Sequence, residues 1–251
     1  MASLRGRTAA LAAGALAAVL MLTLSTLCGA EDSAIGKVLL DETFKQAAVG
    51  SRPVPWLYFT DSGNDVGVAE APVIGGHALK LSRASGTVWM PMVSGTVGGE
   101  AKNTVRMECD WYLPALSDST DSVLYVTVRG DGNNNVVQVG LGGPGGVAVP
   151  QGRDEWVPMG FPLRAGQWAH LSATVDPMSR KADGAFDLTV SQGKDRMTYP
   201  NIPFRPDYRG QYPNELSYTP TFHVGGGSPA RPREAYVTNV RITVVAARED
   251  R

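Results

Sequence analysis

Two carboxylates stand two residues apart in the stretch "TVRMECDWYL", residues 104–113, and this spacing could serve acid–base chemistry. Side chains of a β-strand alternate between its two faces, so Glu108 and Asp110 would point the same way as Arg106 and Tyr112. Hydrolysis of a glycosidic bond uses such a pair, one carboxyl group as the acid and the other as the nucleophile or base. Glu108 and Asp110 are therefore candidate catalytic residues; the alternative is that both acids face water and pair with arginines.

Binding of a sugar is the second chemistry that the sequence could support. Aromatic rings stack on the apolar faces of sugars, and planar polar side chains bond their hydroxyl groups. The candidate ligand-binding residues are Arg106, Tyr112, Tyr125, Gln138, Tyr208 and Tyr212. Tyr208 and Tyr212 lie in residues 198–219, a segment rich in Tyr, Pro and Arg that predicts a long ordered loop, and such loops are often functional. The alternative for each ring is that it fills the core or braces a loop.

Other common catalytic and metal-binding patterns do not occur in the sequence. His77, His170 and His223 are far apart, without the spacing of metal ligands, and each is predicted to be a hydrogen-bonded strand residue. The sequence contains no Gly-x-Ser-x-Gly motif and no phosphate-binding loop. If Cys28 is lost with an N-terminal signal, Cys109 is alone, which predicts a small buried apolar residue.

The first 30 residues have the pattern of a secretory signal. Arg5 and Arg7 precede a long apolar run, and small residues at Cys28 and Ala30 precede the first acid. This pattern predicts an N-terminal signal helix over residues 1–30, cleaved after Ala30, and a location outside the cell, in the periplasm or in the cell envelope. Two alternatives remain open: the apolar run could stay as a membrane anchor, the chain's single contact with a membrane, or Cys28 could carry a lipid.

Composition predicts a folded chain and excludes one class of partner. Of 251 residues, 43% are hydrophobic and 19% charged, a balance typical of a globular protein rather than a disordered one. The 23 Lys and Arg residues oppose 24 Asp and Glu residues, and loss of Arg5 and Arg7 would leave a mildly acidic mature chain. Without a basic stripe to neutralise phosphates, we expect no nucleic-acid partner.

The elements that would position these residues are short strands. Alternation of apolar and polar residues recurs through the mature chain, and clusters of Gly, Pro, Asn and Asp separate the segments. Two of them, residues 168–175 and 185–192, predict a hairpin with a long turn, with Trp168 covering the open end of the core. The stretch "GGPGGVAVPQGRDE" is interpreted as a surface loop, so residues 31–251 predict a single all-β domain with antiparallel sheets.

Four stretches occur in an order that resembles a known superfamily: "LLDETFKQAAVGSRPVPW", "GGHALKLS", "GQWAHLSATVD" and "YVTNVRITV". Together they are similar to the concanavalin A-like lectin/glucanase superfamily, in particular to the laminin-G-like jelly rolls of secreted bacterial proteins. The resemblance implies an antiparallel two-sheet jelly-roll β-sandwich. It also implies a module that recognises extracellular or cell-wall carbohydrate, or another surface partner.

The resemblance also implies a possible structural calcium ion. Relatives bind calcium at the sandwich rim through carboxylates and carbonyls, for which Asp41 or Glu42 and Asn239 are the candidates here. Thr238 stands where the motif usually has Asp, which weakens the case. The alternative is a plain hydrogen-bonded strand end, and no other cofactor is expected.

Two enzyme types on the same fold have motifs that this chain lacks. Laminarinase-type enzymes carry Glu-x-Asp-x-x-Glu, or a form one residue longer, whereas the third position here is Leu113 or Pro114. Alginate lyases carry Gln-x-His, whereas Gln138 is followed by Val139 and Gly140. The prediction is therefore a non-catalytic binding module. A polysaccharide hydrolase or lyase and a structural envelope protein are the alternatives.

Overall fold

The structure is a computed structural model that describes residues 36–87, 89–95, 97, 103–117, 121–129, 135–151, 155–176, 184–204, 219–225 and 229–245. The predicted signal segment, Tyr208 and Tyr212 lie outside these residues. The chain divides into two compact units, Met1–Lys37 and Val38–Arg251, and the second contains every strand described below. The described residues include no helix with the length and apolar character needed to cross a membrane.

The described part of the chain contains strands and no helix, as the sequence predicts. The strands are β1 (Val38–Glu42), β2 (Leu57–Phe59), β3 (Asn64–Glu70), β4 (His77–Arg83), β5 (Met92–Ser94), β6 (Thr104–Tyr112), β7 (Leu124–Arg129), β8 (Asn135–Gly143), β9 (Gly146–Pro150), β10 (Trp156–Pro158), β11 (Trp168–Asp176), β12 (Ala185–Gln192), β13 (Asp195–Pro203), β14 (Thr219–Val224) and β15 (Arg233–Val245).

The strands form two antiparallel sheets that share one core. The eight-stranded sheet has the order β13-β12-β11-β6-β15-β4-β3, and β1 also pairs with β15; the seven-stranded sheet has the order β10-β9-β8-β7-β14-β5-β2. Buried apolar residues of both sheets belong to the same hydrophobic cluster. Because each sheet buries one apolar face against the other, the architecture is a β-sandwich. The face of each sheet that points away from this core is called its outer face below.

Alternation in three central strands confirms the predicted inward residues. The buried side chains are Val105, Met107, Cys109 and Trp111 on β6, Ala169, Leu171, Ala173 and Val175 on β11, and Phe186, Leu188 and Val190 on β12. β11 and β12 pair from His170↔Ser191 to Asp176↔Ala185, which is the predicted hairpin. Full burial also raises the pKa of the Cys109 thiol well above its usual range, so this residue is a small apolar core residue, as predicted.

Three local predictions are wrong. Trp168 does not close the end of the core: its ring lies on the outer face of β11 and packs against Tyr112. Residues 198–203, predicted as the start of a long loop, belong to strand β13, and the glycine-rich stretch predicted as a surface loop supplies strand β9. In each stretch, pairing with a neighbouring strand supplies the backbone hydrogen bonds, which outweigh the local turn signals.

Candidate functional site

Three aromatic rings and a lysine lie in register across four strands on the outer face of the eight-stranded sheet. Trp168 on β11 pairs with Tyr112 on β6, Tyr112 with Tyr236 on β15, and Tyr236 with Lys80 on β4. The ring centroids of Trp168 and Tyr112 are 5.5 Å apart, and those of Tyr112 and Tyr236 are 5.9 Å apart. All four side chains are partly exposed. We call these four residues the aromatic row.

Both ends of the aromatic row are anchored. The indole Nε1–H of Trp168 donates a hydrogen bond of 2.6 Å to the carbonyl of Pro72, in the turn between β3 and β4. At the other end, Lys80 Nζ lies 5.7 Å from the centroid of the Tyr236 ring and 2.6 Å from Glu234 Oε1. These contacts fix the orientation of the side chains at the two ends of the row.

A polar cluster lies beside the aromatic row on the same face and consists of Glu108, Asp110, His170 and Asn239. Asp110 Oδ1 accepts a hydrogen bond of 2.7 Å from His170 Nδ1, and its Oδ2 accepts one of 2.6 Å from Asn239 Nδ2. Glu108 Oε1 is 3.8 Å from His170 Nε2. The candidate acids therefore do share a face, and His170 joins them.

The backbone of β15 explains how Asn239 reaches this polar cluster. The pairing of β15 with β6 shifts register between Thr238 and Arg241, and Asn239 has a φ of 50° inside this bulge. Asparagine tolerates this left-handed conformation better than most residues, and a bulge re-aims side chains. The amide of Asn239 is thereby directed to Asp110.

The cluster changes the acidities of two of its members. Burial raises the pKa of Asp110, but hydrogen bonds from His170 and Asn239 outweigh it and hold that pKa below the usual value. The hydrogen bond to Asp110 raises the pKa of His170; burial and the positive charge of Arg196 oppose the rise, while the charges of Asp110 and Glu108 support it. The ion pair between Asp110 and His170 is therefore favoured at mildly acidic pH.

His170→Gln is expected to lower the free energy of unfolding by about 1 kcal/mol near pH 6 and by much less near pH 9. The loss is modest because the side chain of His170 is 40% exposed and solvent weakens its ion pair with Asp110. Because the pKa of His170 is higher in the folded protein than in the unfolded one, protonated His170 stabilises the fold. This stabilisation is complete below the unfolded-state pKa of about 6.5, and it is lost as the pH rises through the folded-state pKa. Urea denaturation at the two pH values measures the difference.

Asp110→Asn and the double variant provide the control for this prediction. Removing Asp110 eliminates the partner of His170, so the two substitutions together should cost less than the sum of their separate effects near pH 6. Asp110 stays ionised at both pH values because its pKa is lowered, so the pH difference reports on His170. A cost of His170→Gln that is equal at the two pH values would contradict the charged pair.

Two other predicted residues of this face stand apart from the polar cluster. Arg106 is exposed and lies beyond Glu108 on β6. Asp41 is exposed on β1, with Oδ2 3.9 Å from Arg241 Nε, while the side-chain nitrogen of Asn239 faces Asp110. Among the described residues, no group of three or more His, Cys, Asp or Glu side chains is suited to a metal ion. Calcium binding by Asp41 and Asn239 stays a prediction.

Tyr125 and Gln138 lie on the other sheet, and both are buried. Tyr125 is 7% exposed, and Gln138 on the neighbouring strand is also 7% exposed, so neither candidate is accessible to a large ligand. The Tyr125 ring stacks on His223 with centroids 4.8 Å apart and contacts Trp156 at 5.1 Å. The predicted ligand-binding residues therefore do not form one surface: Arg106 and Tyr112 belong to the eight-stranded sheet, and Tyr125 and Gln138 to the seven-stranded sheet.

The outer face of the seven-stranded sheet is polar but enclosed. Ser94 and Thr221 share a hydrogen bond of 2.9 Å, and the Thr127 hydroxyl donates to the Thr221 carbonyl at 3.1 Å. Burial, with smaller contributions from the charges of Arg129 and Arg83, lowers the pKa of His223 to about 3. His223 is therefore neutral at physiological pH, and its burial, like that of Tyr125, restricts access to this face.

Sequence reasoning missed two residues of the accessible face and the role of a third. Tyr236 and Lys80 are absent from the candidate residues, although alternation along "EAYVTNV" places Tyr236 on the face opposite the apolar Ala235 and Val237. His170 was predicted as a hydrogen-bonded strand residue, which is confirmed, but its two acidic neighbours depend on the register between β6 and β11.

Comparison with known proteins supports the fold. No family model matches the sequence, and no curated protein matches it. A solved sialidase is similar over 84% of this chain, with 14% identity and a TM-score of 0.58, and this chain corresponds to 19% of the sialidase. A carbohydrate esterase from the Shiga toxin-encoding bacteriophage phi24B is similar over 84% of this chain and 100% of its own, with 13% identity and a TM-score of 0.55. These similarities agree with the β-sandwich fold; the concanavalin A-like and laminin-G-like assignments stay predictions.

Proposed function

We propose that this protein is a carbohydrate-binding module whose binding surface is the outer face of the eight-stranded sheet. The rings of Trp168, Tyr112 and Tyr236 contact the apolar faces of sugar rings. Glu108 accepts hydrogen bonds from sugar hydroxyls, and His170 donates one through Nε2 when it is protonated. The predicted signal over residues 1–30 would deliver this surface to the cell exterior or the envelope, where glycans occur.

The observation that carries the proposal is the aromatic row beside a polar cluster on one accessible face. Sugar recognition needs an apolar platform next to planar hydrogen-bonding groups, since each sugar ring has apolar faces and a polar edge. Here Tyr112 and Asp110 are two residues apart on the same face of β6, and Trp168 and His170 have the same relation on β11. The register between the strands therefore places platform and polar edge side by side.

Two solved structures support the choice of ligand class. The proteins of similar fold are described as a sialidase and a carbohydrate esterase, and both names refer to carbohydrate chemistry. Since a fold hosts many functions, this similarity supports the class of ligand and does not identify one. The arrangement of Trp168, Tyr112 and Tyr236, by contrast, is observed in this chain itself.

The state of Asp110 argues against its use as the proton donor of a hydrolase. A glycosidase needs one carboxylic acid with a raised pKa that donates a proton to the leaving group. Both carboxylate oxygens of Asp110 accept hydrogen bonds, and these bonds hold its pKa below the usual value. Asp110 therefore remains ionised near neutral pH and is suited to orienting His170 rather than to proton donation.

A glycan array probed with the labelled protein tests the proposal. We expect binding to at least one glycan, a signal lost in the variant Tyr112→Ala, and no release of reducing sugar from the polysaccharides that bind. Absence of binding to every glycan would favour the alternative of a structural envelope protein. Sugar release that disappears in Glu108→Gln would replace the binding module with the alternative of a hydrolase.

A further inference from the structure

A small pocket lies where the chain passes from one sheet to the other. β2 is the last strand of the seven-stranded sheet, β3 is the last strand of the eight-stranded sheet, and residues 60–63 connect them. The pocket has a volume of about 190 Å³ and is lined by Phe59, Thr60, Asp61, Trp89 and Met90. None of these residues belongs to the aromatic row or to the polar cluster, so the pocket is separate from the proposed glycan-binding surface.

Two aromatic rings and a thioether form the apolar side of this pocket. The side chains of Phe59, Trp89 and Met90 are all exposed, and Trp89 is the one tryptophan of the five, all of them in the described residues, that is exposed. The face of an aromatic ring carries partial negative charge and attracts a cation, most strongly in tryptophan. The apolar side of the pocket therefore favours a cation that carries apolar substituents.

A carboxylate forms the acidic side of the pocket. Asp61 is the one acidic residue among the described lining residues, and none of these is basic. Its Oδ1 accepts a hydrogen bond of 2.7 Å from Nδ2 of Asn64, which is a neutral donor. The carboxylate also interacts electrostatically with Arg83, but Arg83 is 1% exposed and does not line the pocket. The charge that these lining residues present to a ligand is therefore negative.

Asn64 joins the acidic side of the pocket to the aromatic side. Its Nδ2 donates one hydrogen bond to Asp61 Oδ1 and a second, of 3.0 Å, to the carbonyl of Trp89. Its Oδ1 accepts hydrogen bonds from the Thr87 hydroxyl and from the Ala84 amide, each at 3.3 Å. These bonds fix the Trp89 backbone beside the carboxylate of Asp61.

We propose that this pocket binds a quaternary ammonium group, with its methyl groups on Phe59 and Trp89 and its positive charge beside Asp61. A quaternary ammonium ion donates no N–H hydrogen bond, and aromatic faces attract it. A primary ammonium group has three N–H donors that need acceptors once water is removed, and the described lining side chains offer oxygen acceptors only at Thr60 and Asp61. The pocket is smaller than the sites of drug-sized ligands, about 300–1,000 Å³, and suits a single headgroup.

Calorimetric titration with choline and with its neutral isostere, in which carbon replaces the charged nitrogen, tests the inference. We expect choline to bind about fivefold or more tightly than the isostere. Trp89→Ala should abolish this preference, and Asp61→Asn should reduce it. Asp65→Asn is the matched control, because Asp65 is exposed, pairs with Arg52 and does not line the pocket.

Equal affinity for choline and its isostere, or no binding of either, would overturn the inference. A preference for choline that persists in Trp89→Ala, or that falls equally in Asp61→Asn and Asp65→Asn, would also overturn it. Co-sedimentation with phosphatidylcholine vesicles distinguishes two sources of the group. Sedimentation of the wild type but not of Trp89→Ala would assign it to a lipid headgroup, and choline binding without sedimentation would assign it to a soluble compound. The glycan array tests the proposed function independently of these results.

Discussion

Replacing Trp168 with alanine is expected to weaken binding of the best glycan from the array at least tenfold, a loss of about 1.4 kcal/mol. The indole is the largest ring of the aromatic row, and its Nε1–H bond to the Pro72 carbonyl fixes its orientation before binding. Truncation removes the stacking area and also frees Tyr112, whose ring centroid lies 5.5 Å away. Calorimetric titration of the wild type and the variant measures the change in Kd.

Two further variants separate stacking from general damage to the protein. Trp168→Phe keeps an aromatic ring and loses the N–H donor, so it should retain more affinity than Trp168→Ala. Trp89→Ala removes an indole that is 72% exposed and lies outside the aromatic row, so it should leave Kd unchanged. An equal loss of affinity in Trp89→Ala and Trp168→Ala would contradict a specific surface at the aromatic row.

Leu171→Ala is expected to lower the free energy of unfolding by about 2–5 kcal/mol. Leu171 is fully buried at the centre of β11, where it pairs with Cys109 on β6 and Val190 on β12. Truncation leaves a cavity between three strands whose side chains interlock, and the pleated backbone cannot close around it. Urea denaturation monitored by tryptophan fluorescence measures the loss.

Leu57→Ala is the matched control for this prediction. Leu57 lies on the edge strand β2 and is 55% exposed, so the same truncation there should cost below about 1 kcal/mol. Similar costs for the two variants would contradict the inward orientation of Leu171. Trp168 and His170 point to the face of β11 opposite Leu171. Such a result would therefore also contradict the placement of Trp168 and His170 on the outer face.

The strands that face solvent on one side were predictable from the sequence. In β6 and β11, one face is buried and the other is not, so apolar and polar residues alternate and a one-residue slip would expose the core. β3 and β9 were missed because "GNDVGVAE" and "GGPGGVAV" combine glycine and turn residues with short apolar runs. Their conformation is decided by antiparallel pairing with the strands next to them in the chain, β4 for β3 and β8 and β10 for β9, and this pairing outweighs the local propensity.

The sequence predicts which residues of the candidate site share a face of the single strand β6, but not which residues of other strands lie beside them. Alternation placed Glu108, Asp110 and Tyr112 on one face of β6, which is confirmed, but Tyr236 lies more than a hundred residues away in the chain. Its position beside Tyr112 depends on the register of β15, and the approach of Asn239 depends on a bulge. Tyr125 was misjudged because both faces of β7 are buried, and alternation then carries no information about exposure.

An NMR titration of the isotope-labelled protein with its best glycan locates the binding surface on one sheet or the other. We expect chemical-shift changes at the indole N–H of Trp168 and at the backbone amides of Tyr112, His170 and Tyr236, with small changes elsewhere. Shift changes confined to the seven-stranded sheet, around Tyr125 and Gln138, would contradict binding on the outer face of the eight-stranded sheet.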